Sequence, residues 1–313
     1  KKFDSAGLVV DEQSIPEITD PVAIEMATNG YLYLAGGTRL VRLVARDLTI
    51  DQGTGNSNIV FTIPNSFRDL RFRDLVYVSA SQKILLGAQN PGNRWPRFIS
   101  IAENLTGSAT VTEVRAMGVG SSSAGSSVRA ITADDQGYAY IVGESSGNAS
   151  TGNDSNAGYI AKFDTINGGT PRAVTFRGLK DVFDVEYANG WLYAMGLHNT
   201  VNEVIVLRVD TTLSGNGDDN VLIQSEWNQS FKFTNSNYSE LRTEGDTKKK
   251  KFSLSVDGLD NIYITGYTRN GTTNFYNETG TIHQTIASTA ESAFVAKLDA
   301  TFAYLWIKNP VRA

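Results

Sequence analysis

Val182-Phe-Asp-Val-Glu-Tyr-Ala-Asn-Gly-Trp-Leu-Tyr-Ala-Met-Gly196 alternates around Asn189-Gly190 and closes on a glycine. An Asn-Gly pair supplies the positive φ angles that a two-residue type I′ turn requires. Aromatic and β-branched residues at period 2 between turn signals are a strand pattern and fit no helix. The stretch therefore reads as a β-hairpin. Four further stretches share its plan, at 22–36, 75–87, 128–143 and 252–266, each ending in glycine. Asn29-Gly30 repeats the turn, and Asp135-Gln136-Gly137 and 257–261 are longer versions of it. The closing glycines stand 51, 56, 53 and 70 residues apart, which makes the hairpin one part of a repeating unit.

A third strand follows each hairpin, marked by a basic residue, an apolar residue and often Asp: Lys162-Phe163-Asp164, Arg208-Val209-Asp210 and Lys297-Leu298-Asp299, with looser versions at Arg42-Leu43 and Arg97-Phe98. Fourth strands are expected at 59–63, 111–114, 173–176, 222–227 and 303–307. Four antiparallel strands recurring at this spacing are the signature of a β-propeller. Lys2-Phe3-Asp4 repeats the third-strand marker, so the chain reads as five complete blades preceded by the outer half of another. The expectation is an all-β single domain over 1–313: a half blade at 1–20 and blades at 21–72, 73–118, 126–178, 179–233 and 250–313. A six-bladed ring is the first choice. Seven blades, or five with an N-terminal arm, stay open.

Composition narrows the function. The 313 residues carry 28 Lys and Arg against 33 Asp and Glu, a formal charge of −5. A mildly acidic chain lacks the concentrated basic surface that displaces counterions from nucleic acid. No cysteine is present, which removes disulfides, thiolate catalysis and Cys-ligated metals. No apolar run reaches the ~18 residues of a transmembrane helix. Seven Asn-X-Ser/Thr sequons, from Asn104 to Asn277, lean toward export.

The stretch 260–268 (Asp-Asn-Ile-Tyr-Ile-Thr-Gly-Tyr-Thr), with Ala-Phe-Val-Ala-Lys-Leu-Asp at 293–299 and Leu305-Trp306, resembles the SBBP β-propeller repeat of bacterial proteins. Residues 137–164 match it fairly, and the other units depart from it. The resemblance implies a secreted or surface-attached propeller, mostly without known catalysis, and it carries no active-site residues.

Loops between the second and third strands share a propeller face with the blade-to-blade connections. The longest, 144–158 and 267–292, fall there, and extended loops on a rigid scaffold carry function. The expected contact residues are Arg94 and Trp95 in one such loop, with Tyr267, Phe275 and Tyr276 in another. Aromatic side chains at these places can stack on a sugar or anchor a protein partner. The sequence thus points to a non-catalytic extracellular or cell-surface module for adhesion or assembly, with a protein or glycan partner. The alternative is a polysaccharide lyase or glycoside hydrolase at the channel mouth, with His198, His283 and Tyr267 as a proton-transfer set. No cofactor is implied. Asp218 and Asp219, in a Gly- and Asn-rich turn, are weak calcium candidates, since a hard cation wants several oxygens from a sharply turning backbone. Glu25, Asp184 and Glu186 stand on first strands, where they would line the channel.

Overall fold

A computed structural model describes residues 2–3, 8–18, 20–28, 30–37, 39–50, 60–62, 71–89, 96–102, 111–115, 127–145, 157–169, 171–176, 178–198, 203–213, 221–222, 228–235, 252–268, 271–277, 280–288 and 292–309. The described residues contain strands and no helix. A two-stranded antiparallel pair comes first, β1 (Lys2–Phe3) with β2 (Val9–Asp11). Sheet I follows: β3 (Pro21–Met26), β4 (Tyr31–Gly36), β5 (Arg39–Val44) and β6 (Val60–Thr62). Sheet II is β7 (Arg71–Val78), β8 (Lys83–Gln89), β9 (Pro96–Ala102) and β10 (Val111–Arg115). Sheet III is β11 (Ala130–Ala133), β12 (Tyr138–Ser145), β13 (Ala157–Asp164) and β14 (Arg172–Phe176). Sheet IV opens with β15 (Leu179–Ala188), β16 (Trp191–His198) and β17 (Glu203–Asp210). After β18 (Val221–Leu222) it takes β19 (Asn228–Asn235) as its fourth strand. Sheet V uses β20 (Ser253–Val256) and β21 (Ile262–Thr268), and the hairpin β22 (Gly271–Tyr276) and β23 (Ile282–Ser288) intervenes. It then closes with β24 (Ser292–Leu298) and β25 (Tyr304–Lys308).

The four blade strands of each sheet pair antiparallel in chain order, and consecutive sheets pack through their first strands: β3 on β7, β7 on β11, β11 on β15 and β15 on β20. Four apolar cores fill the four junctions. Strands β12, β13, β16 and β17 are buried on both faces, which explains their near-continuous apolar runs.

The repeat's markers have physical causes. The third-strand base lies directly opposite a second-strand tyrosine: Arg42 to Tyr33, Lys162 to Tyr140, Arg208 to Tyr193 and Lys297 to Tyr263. There it lies over an aromatic ring, Arg42 at 4.5 Å from the Tyr31 centroid, Lys162 at 3.9 Å from Tyr138, Arg208 at 4.6 Å from Trp191 and Lys297 at 5.0 Å from Tyr263. The marker's Asp folds the next turn by accepting backbone N–H bonds, Asp164 from Ile166 and Asn167, and Asp299 from Thr301 and Ala303. The backbone bonds, Asn167's foremost, hold Asp164 below the usual carboxylate range, and the Thr301 hydroxyl, with the backbone bonds behind it, does the same for Asp299. The hairpin turn at Asn189-Gly190 has φ of 48° and 85°, as a type I′ turn needs.

The closing glycine answers to close backbone approach. A Cβ on Gly196 would stand 2.7 Å from the Asp181 carbonyl oxygen, and one on Gly143 would overlap the Ser127 carbonyl. The second strand can pass this point only without a side chain.

Two elements differ from expectation. The fourth strand of sheet IV is β19, not 222–227. Val221 and Leu222 instead pair in parallel with Thr175 and Phe176, adding β18 to the outer edge of sheet III. A two- or three-residue apolar run does not specify which sheet receives it, whereas Ser230-Phe-Lys-Phe-Thr234 alternates over a full strand. The expected loop 267–292 is the second difference. Its β22 pairs antiparallel with β19, so the hairpin of one unit extends sheet IV to six strands.

Gly196→Ala and Gly143→Ala are expected to lower unfolding free energy by about 1–3 kcal/mol each, because the backbone cannot yield without breaking strand pairing. Urea titration of each variant measures this. Gly190→Ala, in open space, differs in kind: its cost is the positive φ alone.

Candidate functional site

The hairpin β22–β23 is the largest described elaboration of the repeat. One face of it is core. Phe275 is fully buried, with its ring edge-on to Phe294 at 5.1 Å and to Tyr304 at 6.2 Å. Thr273 and Ile286 are buried on the same face. His283 stacks on Tyr304, centroids 4.5 Å apart and planes 8° apart. The other face is bare: Thr285 and Ala287 are exposed, and the Thr285 hydroxyl donates to Asn274 Oδ1 at 2.9 Å. At the tip, Asn277 Oδ1 accepts the Thr281 N–H, and Ile282 beside it is 50% exposed.

Phe275 was expected to meet a partner; its burial instead makes it a core residue binding the hairpin to sheet V. Tyr276, next along, is half-buried. The side chain of Tyr267 lies outside the described residues, as do Arg94, Trp95, Asp218 and Asp219. The proposed proton-transfer set does not assemble. His198 ends β16 and His283 lies in β23, with β17, β19 and β22 between them in one sheet. Four strand spacings put them about 19 Å apart, too far for a shared proton. Spacing along the sequence gave no sign that the loop would fold outward onto the edge of sheet IV.

A second cluster lies at the junction of sheets III and IV. Arg129 Nη2 is 2.9 Å from Asp181 Oδ2 and 3.6 Å from Glu144 Oε2, and its Nε donates to Asp181 at 3.1 Å. Tyr159 donates to the Ser127 carbonyl, and the Ser127 N–H donates to the Glu144 carbonyl. Burial pushes the Asp181 carboxyl up to about 6, against the opposing pull of Arg129. Both Asp181 oxygens are engaged by Arg129, so the pair clamps two sheets.

Other carboxylates serve likewise. Asp184 Oδ2 accepts the Leu254 N–H at 2.8 Å and the Ser253 hydroxyl at 3.0 Å, joining sheet IV to sheet V. It is buried and points across this junction, so it is not part of a solvated channel ring. Asp74 accepts the Ile131 N–H across the junction of sheets II and III. Asp134 accepts the Tyr140 hydroxyl at 2.7 Å, and Asp257 accepts that of Tyr263. Hydrogen bonds, chiefly from Asn261, hold Asp257 at about 2. Among the described residues no group of three or more His, Asp or Glu side chains is placed to hold a metal ion, and no helix is long and apolar enough to cross a membrane.

The chain is similar to hydrazine synthase of Kuenenia stuttgartiensis, with a TM-score of 0.52 at 11% identity, over 97% of this chain and 69% of that one. The fold is a β-propeller. Also similar are a PQQ-bound aldose sugar dehydrogenase of Streptomyces coelicolor (TM-score 0.46, 9% identity, 89% of this chain and 88% of that one) and Drosophila plexin A in complex with semaphorin 1b (0.45, 12%, 83% and 52%). No family model and no curated protein matches the sequence. At such identities the likeness concerns the propeller scaffold alone, and function must be argued from this chain's own residues.

Phe275→Ala is expected to cost about 3–5 kcal/mol, as removal of a buried aromatic does, which urea unfolding reads directly. A partner-contact residue would leave the midpoint unchanged. For Asp181 the sign follows from its raised value. Its stabilising contribution is complete below about pH 4 and is lost as pH rises through about 6. The stability difference between the native chain and Asp181→Asn should therefore shift against the native chain from pH 4 to pH 7, as measured by urea midpoints.

Proposed function

We propose that this propeller is a non-catalytic binding or structural module of the SBBP-like kind, working outside the cell or at a prokaryotic cell surface. Its partner is a protein or glycan, or further copies in a surface assembly. The ring is six-bladed: five complete blades, with residues 1–20 as the outer half of the sixth. The binding surface is the rim at blade IV, where the β22–β23 hairpin projects its bare face.

One observation carries this reading. An insertion in the last unit folds into a hairpin anchored by Phe275, and its opposite face is left exposed at Thr285 and Ala287, with Thr281 and Ile282 exposed at the tip. A neutral insertion has no reason to bury an aromatic anchor, whereas a docking element must hold its exposed face rigid to bind without a large ordering cost. The carboxylates give supporting argument, since Asp74, Asp134, Asp181, Asp184 and Asp257 all have structural partners.

Surface plasmon resonance against immobilised polysaccharides and cell-surface fractions tests the reading. The Tyr276→Ala/Ile282→Ser variant should weaken association at least tenfold while stability stays within about 0.5 kcal/mol. Unchanged association in that variant would overturn the proposal. So would cleavage of any polysaccharide in the panel by the native protein.

A further inference from the structure

The five sheets do not guard their outer edges equally. An edge strand carries a row of unpaired N–H and C=O groups, and proteins blunt such an edge with shortness, charge, proline or cover. Sheet I ends in β6, of three residues, and sheet III in β18, of two. β10 carries Glu113 and Arg115, and β25 ends on the exposed Lys308. β23, the outer strand of sheet IV, has none of these devices. It runs for seven residues without a charge or a proline, and among the described residues no strand lies beyond it. Its His283 ring is stacked on Tyr304. The described residues of the whole hairpin, 271–277 and 280–288, include no Asp, Glu, Lys or Arg.

The hairpin turn decides which backbone groups face outward. Asn277 donates its N–H to the Thr281 carbonyl at 2.9 Å, which makes these two a hydrogen-bonded pair. Along an antiparallel ladder such pairs alternate with non-bonded ones. Counting from Asn277, with His283 as the extra residue of a bulge, Thr285 opposite Asn274 and Ala287 opposite Thr272 fall on non-bonded places. Side chains approach most closely at such places, and there the Thr285 hydroxyl meets Asn274 Oδ1. The N–H and C=O groups of Thr285 and Ala287 therefore point away from β22. Ile286 between them is buried, as is Phe275 on β22, so the edge is held in place from beneath.

We infer that β23 is a self-pairing edge, which joins antiparallel to β23 of a second copy across a two-fold axis at Ile286. In that register Thr285 of each copy exchanges both backbone bonds with Ala287 of the other. The two Ile286 residues stand opposite each other at a non-bonded place. A row of alternating N–H and C=O groups at strand spacing matches an extended polypeptide, and a sugar ring offers it no matching row. An uncharged edge has no charge pattern to select a foreign strand or to repel its own copy. Thr and Ala, both small, face each other on the bare side of the hairpin. The contact repeats the step by which β22 already extends sheet IV from β19. The buried anchors keep the ordering cost of association low. This inference rests on the rim reading of the hairpin and names a second copy as the partner there.

Sedimentation equilibrium of the chain tests it. The native protein should form a reversible dimer. Thr285→Lys puts a charge on the edge and Ala287→Pro removes one outward donor, and each should raise the dissociation constant roughly tenfold or more. Thr285→Val, which adds no charge, should dimerise as the native chain does. Thr285→Lys/Ala287→Lys mixed with Thr285→Asp/Ala287→Asp should give a dimer that neither variant forms alone, because position 285 of one copy faces 287 of the other. If Thr285→Lys loses its near-ultraviolet circular dichroism, Ala287→Lys replaces it. A native chain that stays monomeric overturns the inference. So does a dimer that the edge variants leave intact, or a charge-swapped mixture that stays monomeric. Tyr276→Ala/Ile282→Ser, outside the paired segment, should dimerise normally. A monomeric native chain whose binding to polysaccharides or cell-surface fractions still falls in that variant would overturn self-pairing and spare the rim reading.

Discussion

A four-stranded sheet that is apolar on both faces cannot stand alone in water, and everything in this molecule follows from that constraint. Each fully buried aromatic or aliphatic side chain at a junction contributes roughly 1.5–3 kcal/mol, but only while a neighbouring sheet covers it. Tyr140 and Val142 find cover in sheet IV, and Tyr193 and Met195 in sheet V. Stability is thus a property of neighbouring pairs of sheets, and polar chemistry is recruited to fix their spacing. Asp184 satisfying the Leu254 N–H, and Arg129 meeting Asp181, are contacts between sheets and not within them.

That arrangement explains what was legible in the sequence. Period-2 alternation, Asn-Gly turns and the closing glycine are local necessities of a hairpin whose strands must sit against other backbones, so they recur and can be read. The third-strand base and Asp were visible as markers before their roles were. One lies across an aromatic ring, and the other folds the following turn. The propeller reading needed nothing more. Similarity of fold to hydrazine synthase accords with it at an identity too low to carry chemistry.

What was not legible depends on choices between equally apolar destinations. Val221-Leu222 reads as strand wherever it goes. Only the free edge of β14, in another sheet, makes it parallel to the preceding unit. Phe275 in a long insertion looks like an exposed anchor until the hairpin folds back over Phe294. Local pattern fixes which side of a strand is apolar, but it does not say which surface will bury that side. His198 and His283 fail as a pair for the same reason: proximity in a sheet depends on strand order, and an inserted hairpin changed that order.

The same logic locates function away from the repeat. A residue held at a junction is constrained by its neighbours on both sides, so changing it to suit a ligand disturbs two sheets at once. Asp181 illustrates the conflict. Burial raises its carboxyl, yet Arg129 engages both oxygens, and a ligand would have to displace a charge that holds blades III and IV together. At the rim that conflict is absent. The β22–β23 hairpin uses one face for anchorage and leaves the other unconstrained, so residues such as Thr285 and Ala287 can change without loss of packing. A scaffold built by mutual burial therefore keeps its freedom to bind where its strands have no further neighbour.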